Sequence, residues 1–570
     1  MEQAPVRDIT QAGTREGVSV SVEAVVWMAL VAAAVGVRLA ALGEAEFSIA
    51  ESRRAVDALS VASGTTPEAW TGDAAAAAMS YLFGGGAESE ALARLPSALG
   101  GSLLVAGLWF TRPFAGGVGA LAAAVLLAFS PLFVFFSRSA EPFGMGAAAG
   151  VLCAVSLLAY LRDPGPGWLF SFTVFAGLAA LTDAVAVAAV IAISLFAGFE
   201  ALLVGNAEVQ RAWSSFRSSP LQWAVVALVM GATLMLGLTH FGTSTEKIGL
   251  AGLAQFGEMF ELPRDSRPAG YHPALLLAYD WPLMAAGIGG FVALTWQAIR
   301  RGLRSLSPFE RLGVVWTLTG AMVLTFVTQR EAGQTLILLL PIALVGGSLA
   351  ERVSKRANWT ESGRWWPAAA VATLLAGGFA LAMTEWSGGA ANGQRILMLL
   401  FAAAAGLVVA GALATGRVRA LGPVAAAVAL IGGAYAAHSS LAVAFDSGPE
   451  LARDERLLER REEFREILDR LATEREGLVV IDPELRDVLA WTLRDSPYVF
   501  GGDPEAASVY VGRADSPPNA FRTVGGEWTV SEQWYPEDVL KPRSMWRWLL
   551  YREPYGPVET TVVQIYVPTI

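Results

Sequence analysis

Four short stretches set carboxylates and arginines at the edges of long apolar runs, where a charge is costly unless it has a use. The first reads Glu46-Phe-Ser-Ile-Ala-Glu51-Ser-Arg53-Arg54-Ala-Val-Asp57. On a helix, Glu51 and Arg54 share one face with Ala58, while Arg53 and Asp57 share another. The second is Ser137-Arg138-Ser139-Ala140-Glu141-Pro142, the third Gln329-Arg330-Glu331 and the fourth Tyr279-Asp280. A carboxylate can take or give a proton and an arginine can hold an anion, so one cavity lined by these groups would be a catalytic site. Taken singly, each has a plainer reading. The first is a solvated helix on a membrane surface, the next two are ion-paired turns, and Asp280 is a buried acid that needs a partner. Other chemistries find little support. His240, His272 and His438 lack metal-ligand spacing, and Cys153 stands alone inside an apolar run. Phosphate-cradling Gly-Lys loops, nucleophile elbows and paired cysteines are absent from the sequence.

The elements that must position these residues follow from composition. Of 570 residues 54% are hydrophobic and only 16% charged, with a formal charge of −10. Mean hydropathy is +0.48. The acidic balance argues against a nucleic-acid partner, which would call for a basic stripe. Apolar runs long enough to cross a bilayer recur from residue 22 to 442. The pattern predicts a polytopic α-helical membrane protein of about thirteen spans, near 22–42, 92–110, 114–136, 143–161, 167–182, 184–204, 221–241, 273–299, 311–328, 334–350, 366–384, 396–415 and 419–442. The pair meeting at Thr182-Asp183 reads either as a tight hairpin or as one broken helix. Gly146-Ala-Ala-Ala-Gly150 matches the small-residue spacing of packed helices.

Basic residues then orient the chain. With residues 1–21 inside as a short tail, the inside loops collect Arg112, Arg162, Arg211, Arg300, Arg301, Arg352, Lys355 and Arg356. The outside turns hold little beyond Arg138, Arg330 and Arg395. Two outer loops are expected, at 43–91 and 243–272, within a membrane domain of residues 22–442. An odd number of spans places residues 443–570 outside as a small soluble α/β domain. Its expected order is a helix over 450–476, a strand at Leu478–Asp482, a helix from Pro483 to Asp495, strands at Tyr498–Phe500 and Ser508–Val511, and a closing strand at Thr561–Val567. Asp482, at a strand's end, reads either as a functional acid or as a turn residue before Pro483.

The layout resembles a known family. A first span and an acidic first loop are followed by Leu92-Ala-Arg94-Leu-Pro-Ser-Ala-Leu-Gly100-Gly. A Gly-rich stretch then ends in Phe135-Phe-Ser-Arg138-Ser-Ala-Glu141, and Arg330-Glu-Ala-Gly-Gln-Thr-Leu-Ile-Leu-Leu-Leu-Pro341 looks like a later motif. Together these resemble the GT-C membrane glycosyltransferases, in particular the protein O-mannosyltransferase and aminoarabinose-transferase branch. Leu489-Ala-Trp-Thr-Leu-Arg-Asp495 and Met545-Trp-Arg-Trp-Leu-Leu-Tyr-Arg-Glu-Pro-Tyr555 are similar to the prokaryotic family called flippase-activity-associated.

The resemblance implies transfer of a sugar from a polyprenyl-phosphate donor to a lipid or protein acceptor, on the outer face of a prokaryotic plasma membrane. Glu51 or Glu141 would act as the catalytic base, and Arg53, Arg54, Arg138 and Arg330 would neutralise the donor phosphate. Asp57, Asp280 and Glu331 are further cavity candidates. A divalent metal is compatible with the family, but no ligand spacing calls for one. One departure matters. The family's first loop normally carries an acidic pair, and here the pair reads Ala50-Glu51. Either a remaining acid does the work, or the chain is an inert scaffold or a carrier of lipid-linked saccharides.

Overall fold

The computed structural model describes residues 21–44, 47–62, 89–238, 270–326, 331–357, 359, 362–387, 392–445, 450, 452, 455–457, 460–475, 477–519, 521–534, 548–549 and 553–569. Arg330 lies outside these residues, as does most of the expected 243–272 loop.

A helix stands at the place of each expected span. The first, α1 (Val22–Leu39), starts where the Ser21 side chain accepts from the amide of Ala24, a hydroxyl cap on an orphan donor. It is followed by α2 (Ile49–Ala62) and α3 (Glu90–Gly107), then α4 (Gly117–Ala128) and α5 (Pro131–Ser137). The last two meet at a 64° bend, where Ser130 caps α5 and Pro131 opens it. Next come α6 (Phe143–Arg162), α7 (Pro166–Ala180), α8 (Ala184–Phe199), α9 (Ala207–Ser218) and α10 (Pro220–Leu238). The long α11 (Tyr271–Arg301), α12 (Pro308–Phe326), α13 (Leu336–Arg356), α14 (Trp366–Ser387), α15 (Asn392–Gly416) and α16 (Val418–Phe445) complete the bundle.

Among the described residues nine helices are long and apolar enough to cross a membrane, or up to eleven if each of two bent pairs is one span. The expected count of about thirteen is thus not confirmed by length and composition among the described residues; α7, apolar but only 15 residues long, is one of the helices left uncounted.

The turn at Thr182-Asp183 is a tight one. Asp183 accepts from the amide of Ala186 at 2.9 Å and so caps α8. The Gly146/Gly150 spacing serves this same region. A Cβ at Gly146 would stand 2.1 Å from an Asp183 oxygen, and one at Gly150 would stand 2.7 Å from Ala189. The small-residue face of α6 is thus spent inside the chain, against α8.

The bundle has two distinct ends. At one, Glu23 at the start of α1 pairs with Arg112 at 3.0 Å. At the other, α2 lies beneath a C-terminal α/β domain. That domain is a six-stranded sheet ordered β1-β5-β6-β4-β2-β3, with β1 (Glu455–Leu457), β2 (Val479–Ile481), β3 (Val499–Phe500), β4 (Val509–Arg513), β5 (Phe521–Gln533) and β6 (Glu559–Pro568). β2 runs parallel to β3 and β4, and the remaining pairings are antiparallel. One face is covered by α17 (Arg460–Arg475), whose Phe464 and Leu468 pack on Ile481, Val509, Val511, Trp528 and Ile565.

Three expectations for this domain change. Residues 455–457 leave the helical pattern to pair with the edge of β5. Pro483 begins a short 3-10 turn and the one-turn α18 (Arg486–Leu489), not a helix reaching Asp495. The longest strand, β5, goes unread in the sequence because Gly525 and Gly526 interrupt it and two irregularities shift its register on β6.

Candidate functional site

The site is built from the start of α2. Ser48 precedes the helix, and its hydroxyl accepts from the amide of Glu51 at 3.0 Å. Glu51 answers by accepting from the amide of Ser48 at 2.9 Å. This is a capping box, two orphan donors satisfied reciprocally, and it explains why a Ser-Ile-Ala-Glu sequence turns helical here. The same carboxylate reaches further. Arg94 of α3 forks it through Nε at 2.8 Å and a terminal nitrogen at 3.1 Å, and the amide of Ala140 donates to it at 2.8 Å. Glu51 is 1% exposed and Arg94 is equally enclosed. A planar guanidinium on a carboxylate, both out of water, is a rigid joint. It ties α2 to α3 and to the turn 138–142.

That turn carries the second acid. Ser97 donates to the carbonyls of Phe136 and Glu141, both at 3.0 Å, and Ser139 accepts from the Glu141 amide at 3.3 Å. The Glu141 carboxylate then stands 3.4 Å from Arg54 of α2, with 16% of its side chain and 18% of the Arg54 side chain open. The expected face-sharing of Glu51 and Arg54 holds: both turn toward the bundle, one fully buried and one at the rim. Ala50, between Ile49 and Glu51, is exposed. The position that the sequence resemblance pairs with a second acid therefore opens outward. Arg53 points the opposite way and forks Asp487 of the C-terminal domain at 2.6 and 3.1 Å. Asp57 follows on the same helix, its side chain outside the described residues.

The other candidates lie elsewhere in the geometry. Arg138 donates to the carbonyls of Val37, Arg38, Ala40 and Ala41, and to that of Ala444 at the end of α16. It thereby gathers the C-terminal carbonyls of two helices, the polar groups a helix end leaves bare. Asp280 is buried at a kink in α11, with φ −121° and ψ 35°, and accepts from the amide of Leu132 at 3.3 Å at the start of α5. Its partner is thus a helix N-terminus. Its neighbour Tyr279 faces the C-terminal domain: the phenol donates to Glu450 at 2.6 Å and accepts from the amide of Ala452 at 3.1 Å. Glu331 is exposed just before the turn Ala332–Thr335. In the C-terminal domain Asp482 accepts from the amide of Glu484 at 3.0 Å and so caps the turn after Pro483. Its charge, after burial, helps push the Tyr510 phenol up to about 12.

Among the described residues no three His, Cys, Asp or Glu side chains are grouped to hold a metal ion. The structure thus brings Glu51, Arg54 and Glu141 into one place, with Arg53 on the far side of the same helix. Sequence reasoning missed Arg94, although it stands in the quoted Leu92–Gly101 motif. A lone arginine between two leucine-rich stretches of a span is itself a signal that a buried acid awaits it.

Residues 70–235 match the family model described as dolichyl-phosphate-mannose-protein mannosyltransferase. This segment includes Arg94, Arg138 and Glu141. Among solved structures the chain is similar to ArnT from Cupriavidus metallidurans in its apo state, with a TM-score of 0.57 at 15% identity, over 94% of this chain and 97% of that one. The same protein bound to undecaprenyl phosphate gives a TM-score of 0.55 at 16% identity with the same coverage. No curated protein sequence matches significantly. The chain has the GT-C glycosyltransferase fold, in the form it takes in ArnT.

Proposed function

We propose that this protein is a membrane glycosyltransferase that moves a sugar from a polyprenyl-phosphate donor to an acceptor, at the end of the bundle beneath the C-terminal domain. The observation that carries this reading is the Arg54–Glu141 pair, 3.4 Å apart and mostly enclosed, with 18% and 16% of the two side chains exposed. Arg54 binds the donor phosphate and draws off charge as the bond between the anomeric carbon and the phosphate oxygen breaks. Glu141 takes the proton of the acceptor hydroxyl, whose oxygen forms the new bond to the anomeric carbon. The electron pair of the broken bond leaves on the lipid phosphate, so no nucleotide is needed. Glu51 and Arg94 hold the frame. The three residues named above as donating to Glu51, Ser48 and Ala140 through their amides and Arg94 through its fork, fix elements on either side of the pair. Arg53, held by Asp487, keeps the outer side of α2; the arginine pattern of the sequence supports an outer-face position for this end of the bundle, and the family resemblance supports a prokaryotic plasma membrane.

Purified protein offered a polyprenyl-phosphate sugar should release lipid phosphate, and Glu141→Gln should abolish release. Arg54→Gln should raise the KM for the donor. A second reading, a scaffold that keeps the fold without turnover, draws on Ala50 at the exposed position of the family's missing acid. Lipid binding with no turnover under any acceptor would decide for it.

A further inference from the structure

Four side chains from opposite ends of the sequence stack in one column across the boundary between the bundle and the C-terminal domain. The guanidinium of Arg494 lies 4.1 Å from the centre of the Trp491 ring. That ring stands 5.1 Å from Phe47, inclined at 55°. The Phe47 ring in turn carries the Arg94 guanidinium at 4.8 Å, and Arg94 forks Glu51. Trp491 and Phe47 are 3% and 0% exposed, so the middle of the column is dry. A cation is drawn to the face of an aromatic ring, and more so where water is excluded. Aromatic rings inclined to one another at this spacing also attract.

We propose that the C-terminal domain holds the transfer site in working order through this column. Trp491, Arg494 and Phe47 are positioning residues. An arginine has many rotamers, and the ring of Phe47 limits those open to Arg94. Glu51 follows Arg94, and Glu51 receives both the Ser48 amide of α2 and the Ala140 amide of the turn that bears Glu141. A displaced Trp491 therefore loosens both sides of the Arg54–Glu141 pair. The catalytic consequence rests on the reading of that pair as the transfer site. The mechanical consequence does not.

The test uses the full chain in detergent, with Trp491→Leu, Trp491→Phe and Arg494→Gln compared with the unaltered protein. Hydrogen–deuterium exchange is followed in peptides covering residues 48–56 and 136–145, and turnover is followed on a polyprenyl-phosphate sugar. Trp491→Leu should speed exchange in both peptides at least tenfold while leaving residues 336–350 of α13 unchanged. It should lower kcat at least tenfold with donor KM within threefold, and Trp491→Phe should restore both readouts. Should Trp491→Leu fail to fold, Arg494→Gln carries the test with an expected threefold rise in exchange. Unchanged exchange at 136–145 in every folded variant overturns the proposal, as does a change confined to the KM for acceptor, which would mark the domain as an acceptor site alone. If exchange rises while Glu141→Gln still turns over, the column stands and the reading of the transfer site falls.

Discussion

Glu51 and Arg94 face each other at 2.8 and 3.1 Å with both side chains 2% exposed, whereas Glu141 and Arg54, in contact with the same elements, stand 3.4 Å apart and partly open. Two carboxylates with different surroundings should answer differently to loss of charge. Glu51→Gln leaves a buried guanidinium without its counter-charge, a loss of about 3–5 kcal/mol. Glu141→Gln, at a longer and less enclosed pair, should cost less stability than Glu51→Gln. Thermal unfolding of the detergent-solubilised protein beside turnover separates them. Glu51→Gln should lower the midpoint steeply, and Glu141→Gln should lower it less while turnover disappears.

Arg138 binds five backbone carbonyls from two helix ends. A lysine brings one compact ammonium with three donors in place of a planar fork with five. Arg138→Lys should therefore destabilise the protein by more than about 2 kcal/mol, since hydrogen bonds to a charged group are each worth about 1.5–3 kcal/mol. An effect on donor KM without a fall in melting temperature would instead place Arg138 at the phosphate.

Ala50 is exposed in the first turn of α2, two residues past Ser48. An acid there meets the positive end of the helix, worth about 0.3–1 kcal/mol. Ala50→Asp should raise the melting temperature slightly. It should also raise turnover, because it returns a carboxylate to the open side of α2. A rise in stability with lower turnover would show that the transfer site has been rebuilt around the alanine.

Gly146 leaves room for Asp183, whose oxygen would stand 2.1 Å from a Cβ at that position. Gly146→Ala must push the α8 cap aside, and overpacking of this kind costs about 1–3 kcal/mol. The oligomeric state should not change, since the glycine face is used within the chain. Melting curves and light scattering on the same sample check both parts.

Much of the architecture was legible because a bilayer leaves a chain few options. Among the described residues each apolar run between 22 and 442 holds a helix, and the run 478–482 and the closing strand fall where their β-branched residues put them. The site was legible only as a set of charged residues. Glu51 and Arg94 are 43 positions apart, and nothing in the sequence of either shows that one saturates the other. Arg138 reads as an anion binder because residue type alone does not separate an arginine that meets phosphate oxygens from one that meets backbone carbonyls. The five carbonyls it donates to come from two helix ends that only the fold brings together. β5 was missed for the opposite reason: its two glycines and its charges mask a strand that the sheet imposes from its neighbours.

The helix α2 is gripped on one side by Arg94 and on the other by Asp487, which lies 434 residues beyond Arg53. The outer grip can therefore form only after more than four hundred further residues have been made, whereas the inner one needs residues up to 94. A chain cut short before residue 487 would keep the Arg94 grip on α2 and lose the one on its outer side.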